Sequence, residues 1–267
     1  MPSSYLTLPV AEEFRGRFNI ARWNSVFDWA TRLTLASVFI VLLFGNVSWI
    51  LYAATDPNLP ASYHLFFNVA ARVSSALFVA LEAATTLTRL PPLRKAAGLE
   101  PRIAALLGTF LLTGLAMLPR RELPLSALAI SCSFVVVGML SSFVVLRWLG
   151  KAFSIMAEAR RLIVHGPYAL IRHPLYVCEE IAVIGMFIQV MSPVALIVLI
   201  AHGVFQIRRM LHEERVLQEA FPEYESYARR TPRLIPWRGA AKSGGFILFN
   251  LKPLSAIWPN RRLRWFQ

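Results

Sequence analysis

The chain has 267 residues, of which 56% are hydrophobic and only 16% charged, with a formal net charge of +13 and a mean hydropathy of +0.52. A soluble domain carries about 25% charged residues, so this composition points to a multi-pass membrane protein. The apolar runs leave little room for a nucleic-acid-reading module, and the excess of Lys and Arg is assigned to membrane-face loops and lipid headgroups.

In chain order, Glu12, Glu13, Arg15 and Arg17 precede any long apolar run, which argues against a signal peptide. A spanning helix needs roughly 20 apolar residues. Residues 33–54 and 125–146 are uncharged and qualify. Residues 63–87 are apolar apart from Arg72 and Glu82, which are expected to make ion pairs with a neighbouring helix. Residues 103–118 form a shorter run between Arg102 and Arg120. Residues 181–207 are uncharged but interrupted by Ser192-Pro193. Proline lacks the backbone N–H and disfavours helix in the residue before it. The region therefore reads as a helical hairpin, residues 175–190 and 194–211, whose arms are short enough to be shallow or tilted. The expected architecture is an all-α transmembrane bundle of about six segments. Its parts are four N-terminal membrane helices (1–150), a hairpin-containing catalytic region (151–237) and a C-terminal tail (238–267).

Charge asymmetry orients this bundle. Arg15, Arg17, Arg22 and Arg32 precede the first span, whereas the loop "TDPNLPAS" after it has no Lys or Arg. Arg89, Arg94, Lys95 and Arg102 follow the second, and Arg147, Lys151, Arg160, Arg161 and Arg172 follow the fourth; Arg120 and Arg121 run against the pattern. By the positive-inside rule both termini face the cytoplasm, as in a bacterial inner-membrane protein. The tail has six Lys or Arg, no acid, and interleaved Trp258, Trp265 and Phe266. It is suited either to anionic headgroups or to solvation as a disordered segment.

The polar chemistry concentrates in "HGPYALIRHPLY", residues 165–176. Pro174 suits the first helical turn, where its missing N–H costs nothing, so His173 is expected near the cap. A helix N-terminus presents free N–H groups and partial positive charge, to which Arg172 and His173 add donors. The returning arm carries Glu213 and Glu214 to the same end. Together these build a pocket with cationic and anionic walls, suited to a zwitterionic ligand with a positive centre. Cys132 and Cys178 read as small apolar residues, His202 as a bonded polar residue in a membrane helix, and no metal-ligand pattern is present.

The motif, the hairpin and the following "EERVLQEAFPEYESYARRTPRLIP" together resemble the isoprenylcysteine carboxyl methyltransferase and phospholipid methyltransferase superfamily, especially its bacterial members. The resemblance covers residues 151–236 and little of the first four segments. It implies S-adenosyl-L-methionine as methyl donor, bound at the cytoplasmic end of the bundle. It implies cofactor contacts from His165, Gly166, Tyr168, His173, Pro174, Glu213 and Glu214, with Arg172, Tyr176 and Glu214 acting in catalysis. Tyr224, Tyr227 and Arg233 match a trailing motif. Where many relatives have glycine two residues after the tyrosine, this chain has Cys178, then Glu179 and Glu180. Those acids either select the substrate, together with Arg208, or simply pair with Arg172 or Arg208. The implied acceptor is a lipid-like or prenylated amphiphile, methylated at a carboxylate. Alternatives are a phospholipid amine, an NADPH-dependent sterol-type reductase, or a non-enzymatic scaffold or transporter.

Overall fold

The computed structural model describes residues 9–56 and 62–236. The basic tail and most of the loop after the first span, which has no Lys or Arg, lie outside the described residues. Helix α1 (Pro9–Thr55) contains the first predicted span as its C-terminal half. Helix α2 (Tyr63–Thr88) starts at Ser62, whose hydroxyl accepts from the Leu65 N–H at 3.2 Å. Helix α3 (Glu100–Phe110) tightens into a 3₁₀ turn over Leu111–Met117. Helix α4 (Leu125–Leu149) is followed by a long connection to α5 (Pro174–Val190), α6 (Pro193–Ala220) and the short α7 (Tyr224–Arg230).

The hairpin is present as expected. Chain direction reverses at Ser192-Pro193, where the Ser192 hydroxyl accepts from the Ala195 N–H at 3.1 Å and Pro193 occupies the first turn of α6. Among the described residues, four segments have the length and apolarity to cross a membrane, Asp28–Thr55, Tyr63–Thr88, Leu125–Ala152 and Pro193–Ala220. Helix α5 has 17 residues, about 25 Å against a hydrocarbon core of about 30 Å. Large apolar side chains such as Phe44, Val41 and Ile197 lie on the outer surface, as a lipid-facing bundle requires.

The all-α expectation holds, and the described residues add one minimal strand pairing. Two-residue strands β1 (Arg94–Lys95) and β2 (Glu158–Ala159) pair antiparallel. The pairing is extended by Leu93 N–H to Ala159 O at 2.7 Å and Ala96 N–H to Ala157 O at 2.9 Å. This ties the α2–α3 and α4–α5 connections to one end of the bundle.

The expected ion pairs of Arg72 and Glu82 do not form among the described residues. Arg72 donates to Asn46 Oδ1 at 3.5 Å and lies over the Trp49 ring at 5.2 Å, both on α1. A cation–π contact and an amide replace the carboxylate there. Glu82 is buried without a basic group in ion-pair range.

Helix α4 is the centre of the bundle, packed on α2 and α5, while α1 lies against α2 and α3 against α6. Close approach of α4 and α5 depends on small residues, the usual device for helices in lipid. A Cβ at Gly138 would stand 2.4 Å from Ala182 N, and one at Gly185 would stand 2.5 Å from Ser131 O. The same contact is polar: the Ser131 hydroxyl donates to Gly185 O at 2.8 Å and accepts from Gln189 Nε2 at 2.8 Å. Gly185→Ala is therefore expected to destabilise the protein by about 1–3 kcal/mol through overpacking, read as a lower unfolding temperature in detergent. Gly45→Ala, with nothing within 4 Å of the new Cβ, should leave that temperature unchanged or raise it.

Candidate functional site

The motif folds as a turn seated on α4. Gly166 has φ +64°, and a Cβ there would lie 2.8 Å from the Trp148 ring. Only glycine meets both conditions without strain. His165 approaches Trp148 edge-on at 5.8 Å between ring centroids. The 3₁₀ turn Gly166–Ala169 then buries Tyr168, whose carbonyl accepts from the Tyr227 hydroxyl at 2.6 Å. Desolvation pushes the Tyr227 hydroxyl well up from its ordinary value and the Tyr224 hydroxyl up to about 12. Tyr227 therefore stays a donor at neutral pH.

His173 caps α5 and Pro174 occupies its first turn. The trailing motif closes over this start: Arg172 N–H donates to Pro232 O at 2.8 Å and His173 N–H to Arg233 O at 3.1 Å. These bonds bring the side chains of Arg172, His173 and Arg233 together around Glu214 on α6. Glu214 Oε1 lies 2.9 Å from His173 Nε2 and accepts from Arg233 Nε at 3.0 Å. Its Oε2 accepts from Arg233 Nη2 at 2.7 Å and lies 3.0 Å from Arg172 Nη1. A buried carboxylate is tolerated only when paired and hydrogen-bonded, and here both oxygens are occupied.

One residue earlier, Glu213 Oε1 accepts from the Tyr176 hydroxyl at 2.7 Å and from Arg209 Nε at 3.2 Å. Arg209 also lies over the Tyr176 ring at 5.0 Å and donates to Thr109 Oγ1 at 2.9 Å. Deeper in the bundle, Gln206 Nε2 reaches Glu179 Oε2 at 3.5 Å and His202 Nε2 lies 2.8 Å from Glu180 Oε1. Thus α5 and α6 are bridged by four polar pairs in register: His173–Glu214, Tyr176–Glu213, Glu179–Gln206 and Glu180–His202.

Beside this seam lies a cavity. Tyr168, Arg172, His173, Tyr176 and Glu213 line it from the motif and α6, and Tyr224 and Tyr227 from α7. Its far side is built by the α4–α5 connection, including Ser154, Glu158 and Arg160. Its walls therefore carry both signs of charge, with aromatic and aliphatic surface between them.

Most of the predicted residues converge here. His165, Gly166 and Pro174 instead shape the backbone around the cavity, and Glu214 lies behind its wall, held by Arg172, His173 and Arg233; none of these four is among its lining residues. Arg208 stands apart: it is exposed and pairs with Glu100 on α3 at 3.2 Å. Glu179 and Glu180 contact Gln206 and His202 on α6, and neither of the pairings expected for them, with Arg172 or Arg208, is formed. His202 is a bonded polar residue, as read from the sequence. Sequence reasoning missed Ser154, Arg160, Arg209 and Thr109. Arg209 was legible in principle, four residues before Glu213 and so on its face of the helix. Thr109 was not, because its helix is distant in sequence.

Residues 123–224 match the family model for phospholipid methyltransferases. This region is of the phospholipid methyltransferase family. The methyltransferase match begins at α4, upstream of the residues that carried the resemblance, and ends at Tyr224. Two curated proteins are similar over parts of the chain. The nickel-cobalt-cadmium resistance protein NccN of Alcaligenes xylosoxydans xylosoxydans is 32% identical over 112 residues, 40% of this chain and 52% of that protein. The cobalt-zinc-cadmium resistance protein CzcN of Cupriavidus metallidurans is 40% identical over 76 residues, 28% of this chain and 35% of that protein. The chain thus spans about half or less of the length of these relatives. Within the matched region, Glu214 holds together a cluster of Arg172, His173 and Arg233. Glu214→Ala should cost about 3 kcal/mol, because it strands Arg172 and His173. Glu214→Gln should cost less, since its amide oxygen still accepts, and thermal unfolding in detergent checks both.

Proposed function

We propose that this membrane protein is an S-adenosyl-L-methionine-dependent methyltransferase acting on a lipid-like acceptor. The observation that carries the reading is the placement of Arg172, His173, Tyr176, Glu213 and Glu214 at one mouth of the α5–α6 seam, beside a cavity with cationic and anionic walls. The cofactor's methionine portion is a zwitterion with a sulfonium, and such walls fit both of its charges. When bound, it supplies an electrophilic methyl group. Glu213 and Glu214 would lie near its ammonium and sulfonium. Arg172 keeps a buried, unpartnered Nε for an oxyanion, and Tyr168, Tyr224 and Tyr227 give aromatic surface. Aligning donor and acceptor in a near-attack geometry supplies about 7–11 kcal/mol, which is most of what this chain has to do.

The acceptor is proposed to enter laterally from the bilayer, its tail between helices and its head in the seam. Each methylene of such a tail contributes about 0.8 kcal/mol by burial. The first reading of the head is a carboxylate, prenylated or acyl, oriented by Arg172 and needing no base. The second is an amine, favoured by one observation: Glu82, Glu179 and Glu180 put three carboxylates in the deeper seam with few cations. An amine must lose a proton before attack, and these acids would take it. The cytoplasm is the proposed side of the motif, of Glu213 and of both termini, at a bacterial inner membrane.

Two experiments test this reading. Calorimetry in detergent should show binding of S-adenosyl-L-methionine and none of NADPH, weakened more than tenfold by His173→Ala. In nanodiscs with a membrane extract, methyl-labelled cofactor should label organic-extractable product, and base-labile label marks an ester whereas base-stable label marks a methylamine. Binding of NADPH alone, or label confined to small water-soluble products, would sink the proposal at its cofactor or its acceptor respectively. For orientation, cysteines placed at Ala169 and Glu219 should react with an impermeant reagent from the same, cytoplasmic, side; labelling from opposite sides would exclude a shared site.

A further inference from the structure

A second cluster of charge lies outside the residues given a role above. Asp28 on α1 is shared by three arginines: Arg32 at 2.7 Å, Arg89 at 3.2 Å and Arg160 at 3.9 Å. Glu158 is shared by Arg160 and by Lys95 at 3.7 Å, and it also accepts from the Ser154 hydroxyl at 2.9 Å. Four cationic side chains therefore divide two carboxylates between them.

Arg160 is the least satisfied of the four. Its side chain is 0% exposed, and its Nε and Nη1 have no hydrogen-bond partner among the described residues. Leaving a buried donor unmade costs about 1–3 kcal/mol, more when it is charged. Burial accordingly pulls the Arg160 guanidinium below its ordinary value. Arg160 also lines the cavity, as does Arg172, whose buried Nε is likewise unpartnered. The two come from the same connection, one beside β2 near its middle and one beside the α5 start. Among the described residues every carboxylate near Arg160 is already committed, so none of them supplies the missing acceptor.

We propose that Arg160, with Arg172 in the same cavity, forms an oxyanion subsite for a carboxylate or phosphate oxygen of the bound ligand. That this ligand is a methyl donor or acceptor rests on the methyltransferase reading; the subsite itself rests on the buried donors. Guanidinium groups suit such an oxyanion because their N–H donors match carboxylate and phosphate geometry. The subsite lies on the cavity wall built by the α4–α5 connection. The ligand's oxyanion is therefore held by a different part of the chain from Glu213 and Glu214, which fixes the ligand's direction in the cavity.

The test uses the full chain in detergent with inorganic phosphate as probe. At matched ionic strength, phosphate should raise the unfolding temperature of the unmodified protein above its value in chloride. Arg160→Gln should abolish the rise, and Arg160→Lys, which keeps the charge beside Asp28 and Glu158, should at least halve it should the glutamine variant not fold. Arg120→Gln, exposed and beyond the opposite end of α4, should retain it. A folded Arg160 variant with the full phosphate effect would overturn the subsite. The source of the oxyanion is read from cofactor binding. If Arg160→Lys weakens S-adenosyl-L-methionine but not its decarboxylated analogue, the subsite holds the cofactor carboxylate. If both bind as before while the KM for a phosphate- or carboxylate-bearing lipid rises several-fold, it holds the acceptor. Failure of the unmodified protein to bind cofactor would remove the methyltransferase reading and leave the phosphate result standing.

Discussion

The arrangement of the candidate site depends on burying the Glu214 carboxylate at the end of a membrane helix. An isolated buried carboxylate is prohibitively costly, so its position obliges other parts of the chain to deliver polar partners. His173 arrives from the start of α5, Arg172 from the turn before it, and Arg233 from beyond α7. Each arrives because a backbone hydrogen bond or a cap fixes its segment. The motif and the trailing segment are thereby locked together although about 60 residues apart. The charges that hold this end together are also those with which a charged ligand could exchange contacts. That dual use explains why the site is well paired and still has a cation with an unpartnered donor.

The two faces of α5 solve different problems. Toward α4 it is lined by small residues, so backbones approach closely and dispersion contacts replace the hydrophobic drive that lipid does not supply. Toward α6 it carries the polar ladder from His173 to Glu180, and there the helices are held apart by side chains. A tight contact on one face and a polar seam on the other leave the cavity mouth where the hairpin arms diverge. The positive-φ glycine at 166 serves the same end, because it lets the preceding loop lie flat on Trp148 and turn Tyr168 inward.

The charge cluster around Asp28 gives the long α1 a role in this region. Through Arg89 and Arg160, α1 and α2 are joined to the α4–α5 connection, and the β1–β2 pairing repeats that join in the backbone. The first two helices, which lie outside the matched family region, are thus electrostatically continuous with the cavity wall. Burial of so many guanidinium groups beside two carboxylates leaves a local excess of positive charge, with two donors of Arg160 unpartnered among the described residues.

Sequence alone determined the features that local chemistry dictates. Uncharged runs of spanning length, the Ser192-Pro193 reversal and the helix start at Pro174 follow from hydropathy and from the missing proline N–H. The approach of Glu214 to Arg172 and His173 followed once the hairpin was granted, because the arms must return to one end. What sequence could not determine was which of several charges would meet. Arg72 stacks on Trp49 where an ion pair was expected, Arg208 turns to Glu100, and Glu180 takes His202. Each choice depends on the rotation of one helix against another, and packing of small residues sets that rotation. Arg160 and Thr109 entered the picture only in three dimensions, since their partners lie on elements distant in sequence and no periodicity links them. Composition fixed the membrane class and short-range rules fixed the elements; helix rotation, a tertiary quantity, decided which charged groups line the cavity.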